Sequence, residues 1–129
     1  ARTARREAVW RIYDEGLGDL PITRPAPVPE GDVHARHLYS VLIDPASGRS
    51  RDDLIGDLAA QGIATSVHFR ALHLHPYYRD RYRLTRGMFP EAERVSDQIL
   101  SLPLGGGMSD DEAWTVVAAV RRAIPGRTR

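Results

Sequence analysis

Residues 62–82 read GIATSVHFRALHLHPYYRDRY, and no other stretch of the 129-residue chain is as dense in chemistry. Its apolar beginning, Ile63 to Phe69, has the length and β-branched content of a strand, and three histidines, four aromatic and four charged residues follow between positions 68 and 82. Upstream, HLYSVLI (37–43) is rich in strand formers and closes on the turn residues DPASG (44–48). Between these strands Ser50 caps a helix with the apolar stripe Leu54, Ile55 and Leu58, acidic Asp52 and Asp53 in its first turn, and Gly62 as its stop. Strand, helix and strand make a unit of about thirty residues, the size of a crossover connection.

The same reading extends to both ends of the chain. Pro90 opens a helix with the stripe Ala92, Val95 and Ile99, and Ile99 to Leu104 supplies a third short strand before the turn Gly105–Gly107. Ser109 with Glu112 forms a capping box, followed by the buried stripe Ala113, Val116, Val117, Val120 and Ile124 and the stop Pro125-Gly126. At the front, Val9, Ile12, Tyr13 and Leu17 share one helical face, and four prolines between Pro21 and Asp32 then impose an extended connector. The first helix has no capping residue, and Arg2, Arg5 and Arg6 crowd the end where the helix dipole favours acids, a start compatible with a natural N-terminus and with a chain cut within a longer helix. The expected fold is a single α+β domain over 1–129, a small three- to four-stranded, mainly antiparallel sheet with helices packed on one face.

Composition narrows the chemistry. All 18 basic residues are arginine, so lysine-based covalent chemistry has no residue here to carry it, and the absence of cysteine removes thiolates and disulfides. A net charge of +1 gives no general attraction to nucleic acid, and the apolar runs are too short for a bilayer span or a secretory signal, which leaves the cytosol as the expected compartment. The cluster Arg79, Arg81, Arg83 and Arg86, with Tyr77, Tyr78 and Tyr82, has the residue types that bind single-stranded nucleic acid, but Asp80 interrupts it. A solvated helix face with the tyrosines packed inward is the preferred reading.

His68, His73, His75 and Asp80 are metal-ligand types, yet their spacing matches no compact ligand pattern, and no metal is expected. Ser66 lies two residues before His68 on the same face of the strand, but no nucleophile-elbow motif accompanies it. Strand alternation turns Val67 and Phe69 one way and His68 the other, at the strand's end, where an imidazole can meet a ligand.

Taken in order, HLY (37–39), GIATSVHF (62–69), LHLHPYYRDRY (72–82), FPEAERVSDQILSLPL (89–104) and SDDE (109–112) closely resemble the C-terminal small domain of the DegT and StrS type sugar aminotransferases, part of an aspartate-aminotransferase-like fold. HFRALHLHPYYRDRY (68–82) most resembles the members that make UDP-4-amino-4-deoxy-L-arabinose. The resemblance implies a pyridoxal phosphate enzyme, a cytoplasmic homodimer, that moves an amino group from glutamate to a keto group of a nucleotide-linked sugar. It also implies that the cofactor lysine resides in a large N-terminal domain absent from these residues, so that this chain alone is inactive. By the same resemblance His68 hydrogen-bonds substrate, Phe69 packs beside the sugar or cofactor, Arg70 meets a carboxylate or phosphate, and His37 and His73 join the substrate side. Arg36 departs from the family's usual aromatic, and Gly105-Gly106 from the bulky residue and proline that usually follow SLPL. The competing expectation is a stand-alone domain that binds a nucleotide sugar or a partner without catalysis.

Overall fold

The computed structural model describes residues 2–124, and the expected stop at Pro125-Gly126 lies outside them. Helix α1 (Arg2–Gly16) leads into the two-residue strand β1 (Ile22–Thr23) and then β2 (Tyr39–Ile43). Helix α2 (Arg51–Ala59), α3 (Pro76–Tyr82) and α4 (Pro90–Gln98) precede β3 (Ile99–Leu102), and α5 (Asp110–Ala123) completes the order. The three strands form an antiparallel sheet in the order β1-β2-β3.

Both capping boxes form. Ser50 Oγ accepts from Asp53 N and Ser109 Oγ from Glu112 N, while each acid's carboxylate accepts from the cap residue's N–H, which satisfies two backbone donors at the start of each helix. Strand β2 alternates as a half-buried strand must, with Tyr39, Val41 and Ile43 buried and Ser40 and Leu42 turned to the other face. Those three residues meet Leu100 and Leu102 of β3, Leu54 and Leu58 of α2, and the Val116, Val117 and Val120 stripe of α5 in one core.

Two buried tyrosines tie the core to its frame. Tyr13 donates to Pro103 O at 2.6 Å and Tyr39 to Asp14 Oδ1 at 2.7 Å, with their rings edge-on at 5.0 Å. Burial pushes both phenols above the usual tyrosine range, so they remain donors at every physiological pH.

Helices α1 and α5 run in the same direction. Arg5 pairs with Asp110 at their starts, and Arg121 donates to Gly16 O at 2.8 Å and to Asp19 Oδ2 at 2.8 Å at their ends. Of the arginines crowding the start of α1, Arg5 is thus met by the acidic first turn of α5. Between those ties Gly16 lets the helices touch: a Cβ there would lie 2.5 Å from Val117 Cγ1. Gly16→Ala is expected to lower stability by about 1–3 kcal/mol through overpacking, despite alanine's better helix propensity. Thermal or urea denaturation measures this, and a variant as stable as the parent would show that α1 and α5 separate freely.

Two expectations need correction. Residues 63–69 do not form a strand; they make one antiparallel bridge, Ser66 with Ser101. The register explains why, since the neighbouring bonded pairs would set Ala64 opposite Pro103, which has no N–H, and His68 opposite Ile99, whose N–H is already given to Val95 O at the end of α4. The second correction concerns α4, whose buried face carries Glu93 and Ser96 while Ala92 is exposed.

Candidate active site

The site begins at that single bridge. Ser66 and Ser101 exchange both backbone bonds, at 3.2 and 2.8 Å, so Ser101 has none left for Ser40 on its other side. Ser40 and Ser101 therefore face each other as a non-hydrogen-bonded pair, the arrangement that brings side chains closest, and their hydroxyls meet at 2.7 Å. His68, two residues beyond Ser66 on the same side, places Nδ1 at 2.9 Å from Ser101 Oγ. Ser101 is buried and His68 half-buried, so the ring is anchored from below with its Nε2 edge left for another partner.

Phe69 and Arg70 extend outward from this anchor. The Phe69 ring stands edge-on to the His68 ring at 4.9 Å and is 74% exposed, and the peptide between them is cis. Arg70 is exposed and pairs with no carboxylate among the described residues. An imidazole, an aromatic face and a guanidinium fork in consecutive positions can hydrogen-bond, stack upon and pair with a ligand that carries both a ring and an anionic group.

The chain then turns inward. Ala71 N donates to the buried Ser96 Oγ at 2.9 Å, and His73 is 6% exposed with Nε2 at 2.9 Å from Glu93 Oε1. Glu93 also accepts from Gly87 N at 2.7 Å and Phe89 N at 3.3 Å, so one buried carboxylate closes the 71–89 loop onto α4. His73 is thus enclosed against Glu93. Burial raises the Glu93 carboxyl's affinity for protons, but the His73 bond and the two backbone N–H groups outweigh it and hold the group below the usual glutamate range.

His37 is exposed just before β2, at the Tyr39 end of that strand, whereas the chain at His68 has passed Ser101 toward the Ile99 end. The fold does not bring His37 to the cluster formed by the residues from 68 to 70. Among the described residues no three His, Asp or Glu side chains converge as a metal site.

Helix α3 also departs from expectation. It buries none of its residues, and Tyr77 and Tyr82 are 65% and 58% exposed. Tyr78 stacks on Tyr82 at 6.4 Å, Arg79 pairs with Asp80, and Arg86 pairs with Asp97, so two of the four clustered arginines are already neutralised. With Phe69, Leu72, Met88 and Phe89, these tyrosines leave large apolar side chains exposed throughout 69–89. Surfaces of that kind mark sites of interaction with proteins, membranes or ligands.

The two sequence departures have local explanations. Arg36 lies over the Trp10 ring at 4.2 Å and donates to Glu7 Oε2 at 2.7 Å, so its stem and guanidinium pack where an aromatic ring would. Gly106 admits Arg2, whose Cβ would meet an added Cβ at 3.0 Å, and Gly105 and Gly107 border an open groove of about 620 Å³ with Gln61, Ile63, Leu104 and Glu112.

Known proteins share both this fold and this order of residues. The chain is 34% identical to DesV of S. venezuelae, solved in complex with a ketimine intermediate, with a TM-score of 0.82 over 98% of this chain and 33% of that one. It is 28% identical to DesI, solved in the presence of its TDP-sugar product, with a TM-score of 0.78 over 94% of this chain and 31% of that one. An uncharacterized protein of Methanocaldococcus jannaschii is 39% identical over 121 residues, 93% of this chain and 31% of that protein. The fold is thus one found in aminotransferases. Residues 1–121 match the DegT/DnrJ/EryC1/StrS aminotransferase family, and the chain belongs to it. It spans about a third of the length of these relatives.

Proposed function

We propose that these residues are the C-terminal part of a pyridoxal phosphate-dependent aminotransferase that moves an amino group from glutamate to a keto group of a nucleotide-linked sugar. The observation that carries this reading is the anchored His68 with Phe69 and Arg70 beside it, exposed in a fold shared with DesV and DesI. His68 hydrogen-bonds a sugar oxygen, Phe69 lies against the sugar or cofactor ring, and Arg70 receives a carboxylate of the amino donor or a phosphate. The likeness of residues 68–82 to enzymes that form UDP-4-amino-4-deoxy-L-arabinose makes that sugar the first substrate to assay. His37 belongs to the same proposal only if another subunit brings it near; His73 serves by holding the loop.

Pyridoxal phosphate, when bound, supplies the electron sink for amino transfer. The residues of this chain do not fit its covalent seat, because none of the 129 is lysine. A large N-terminal domain supplies the seat in this reading. The exposed apolar side chains of 69–89 lie against that domain or against a second subunit of a homodimer. Among the described residues no helix is long and apolar enough to cross a membrane, and we place the enzyme in the cytoplasm.

Borohydride trapping tests the division of labour. In the complete protein, reduction in the presence of pyridoxal phosphate is expected to leave the cofactor on a lysine outside these 129 residues, while the 129-residue piece alone yields no side-chain adduct. A stable adduct on a side chain of the piece would overturn the reading.

A further inference from the structure

We infer that Ser96 is a positioning residue for Arg70: its buried hydroxyl fixes the peptide that joins Arg70 to Ala71 and so sets where the guanidinium meets an anionic group of the ligand. Ala71 N donates to Ser96 Oγ at 2.9 Å, and both residues are buried, so the bond is shielded from water. Its direction is fixed, because an amide N–H only donates. Ala71 is held on its other side as well, Leu74 N donating to Ala71 O at 3.0 Å. Before it, the backbone of residues 67–70 makes no hydrogen bond to another described residue. Ser66 is paired through its backbone with Ser101 and His68 through its ring with Ser101 Oγ, and Ser96 makes the first tie after Arg70.

Both ties come from one short run of chain, the last turn of α4 and the start of β3, with Ser96 and Ser101 on either side of Ile99. That junction is held in turn from α2, where one guanidinium nitrogen of Arg51 donates to Ser96 O at 3.4 Å and to Ile99 O at 3.2 Å, carbonyls at the end of α4. Residues 68–70 thus span two points on a single base. Arg70 is exposed and pairs with no carboxylate among the described residues, so the place of its guanidinium depends on the backbone that carries it. Without the Ser96 hydroxyl a buried N–H lacks its acceptor, which the chain relieves by moving Ala71, and Arg70 with it. The tie follows from this chain alone, while the anion that Arg70 meets, a carboxylate of the amino donor or a phosphate of the sugar nucleotide, rests on the proposed function above.

The test measures KM for glutamate and KM for the nucleotide-linked sugar separately in the complete enzyme, in Arg70→Ala, Ser96→Ala and the double variant. Arg70→Ala is expected to raise KM about 20-fold for the substrate whose anion it meets, glutamate for a donor carboxylate and the sugar for a phosphate. Ser96→Ala is expected to raise that same KM about fivefold with kcat little changed, and to add nothing in the Arg70→Ala background, as for a residue that acts through another. Ser96→Cys, which keeps the shape and weakens the acceptor, gives the same readout if Ser96→Ala folds poorly. Gly16→Ala, expected to lower stability without touching the site, should leave both KM values as in the parent. Hydrogen exchange at the Ala71 amide, slow in the parent and faster in Ser96→Ala, checks the bond independently of activity. KM raised by Arg70→Ala but not by Ser96→Ala or Ser96→Cys, a Ser96→Ala loss that persists in full in the double variant, or an Ala71 amide that exchanges freely in the parent overturns the positioning role and leaves the proposed function standing. Arg70→Ala without effect on either KM overturns the role of Arg70 in the proposed function and this inference with it.

Discussion

His68→Ala in the complete enzyme is expected to lower kcat/KM for the acceptor sugar by about 100-fold while leaving cofactor binding intact. The reasoning starts from the bridge between Ser66 and Ser101, which delivers His68 to the edge of the sheet, and from Ser101 Oγ, which holds its ring at 2.9 Å. Removing the ring deletes the proposed hydrogen bond to the sugar, and such a bond is worth about 1–3 kcal/mol when the partner is left unpaired. It also removes the surface against which Phe69 stands edge-on. Steady-state kinetics with the sugar, alongside cofactor absorbance, separates the two effects. Equal losses of turnover and of cofactor would show that His68 supports the fold of the site and not the substrate.

Glu93→Ala is expected to cause the largest loss of stability, lowering the melting temperature by roughly 10 °C. The carboxylate accepts from His73 Nε2 and from the N–H groups of Gly87 and Phe89, and its removal leaves a buried imidazole nitrogen and two part-buried N–H groups without their acceptor. Glu93→Gln is not a rescue, because its amide keeps only one acceptor oxygen and sets an NH₂ where a carboxylate oxygen had received protons. The pH dependence follows from the direction of the shift. A carboxyl held below its ordinary value of 4.5 contributes fully above that pH, and the contribution is lost as pH falls below it and through the folded-state value. Parent protein should therefore lose stability on acidification below about pH 4.5, and Glu93→Gln should lose less over the same interval. Hydrogen exchange should show the 71–89 loop opening in the variant. Unchanged melting and unchanged exchange would mean that the loop is held by other contacts.

These two residues mark the limit of what the sequence could disclose. Local signals were legible: the Ser50 and Ser109 caps, the period of α5 and the alternation in β2 each depend on residues within a turn or a strand of one another. The missing strand at 63–69 was not, because it failed for want of donors at Pro103 and Ile99, more than thirty positions along the chain. Helix α4 misled for a related reason. Counting apolar residues selects Ala92 and Val95, yet Glu93 and Ser96 are buried because the preceding loop folds back and brings N–H groups and an imidazole to them. His68, Phe69 and Arg70 stood together in the sequence and remain together in space, while His37 and His73 had only proximity in a motif to recommend them. Ser40 and Ser101 carried no signal, since a lone serine in an apolar strand gains meaning only from its cross-strand neighbour. The exposed tyrosines of α3 reverse the expected packing.

The central claim is that this chain forms the substrate side of an active site whose cofactor seat lies in another part of the protein. The most direct test is a structure of the complete protein with its nucleotide-linked sugar bound. His68 Nε2 is expected within about 3 Å of a sugar oxygen, with Phe69 against the ring and Nδ1 still on Ser101. A sugar bound in the active site with residues 68–70 turned away from it, and no ligand atom within hydrogen-bonding reach of His68, would contradict the account.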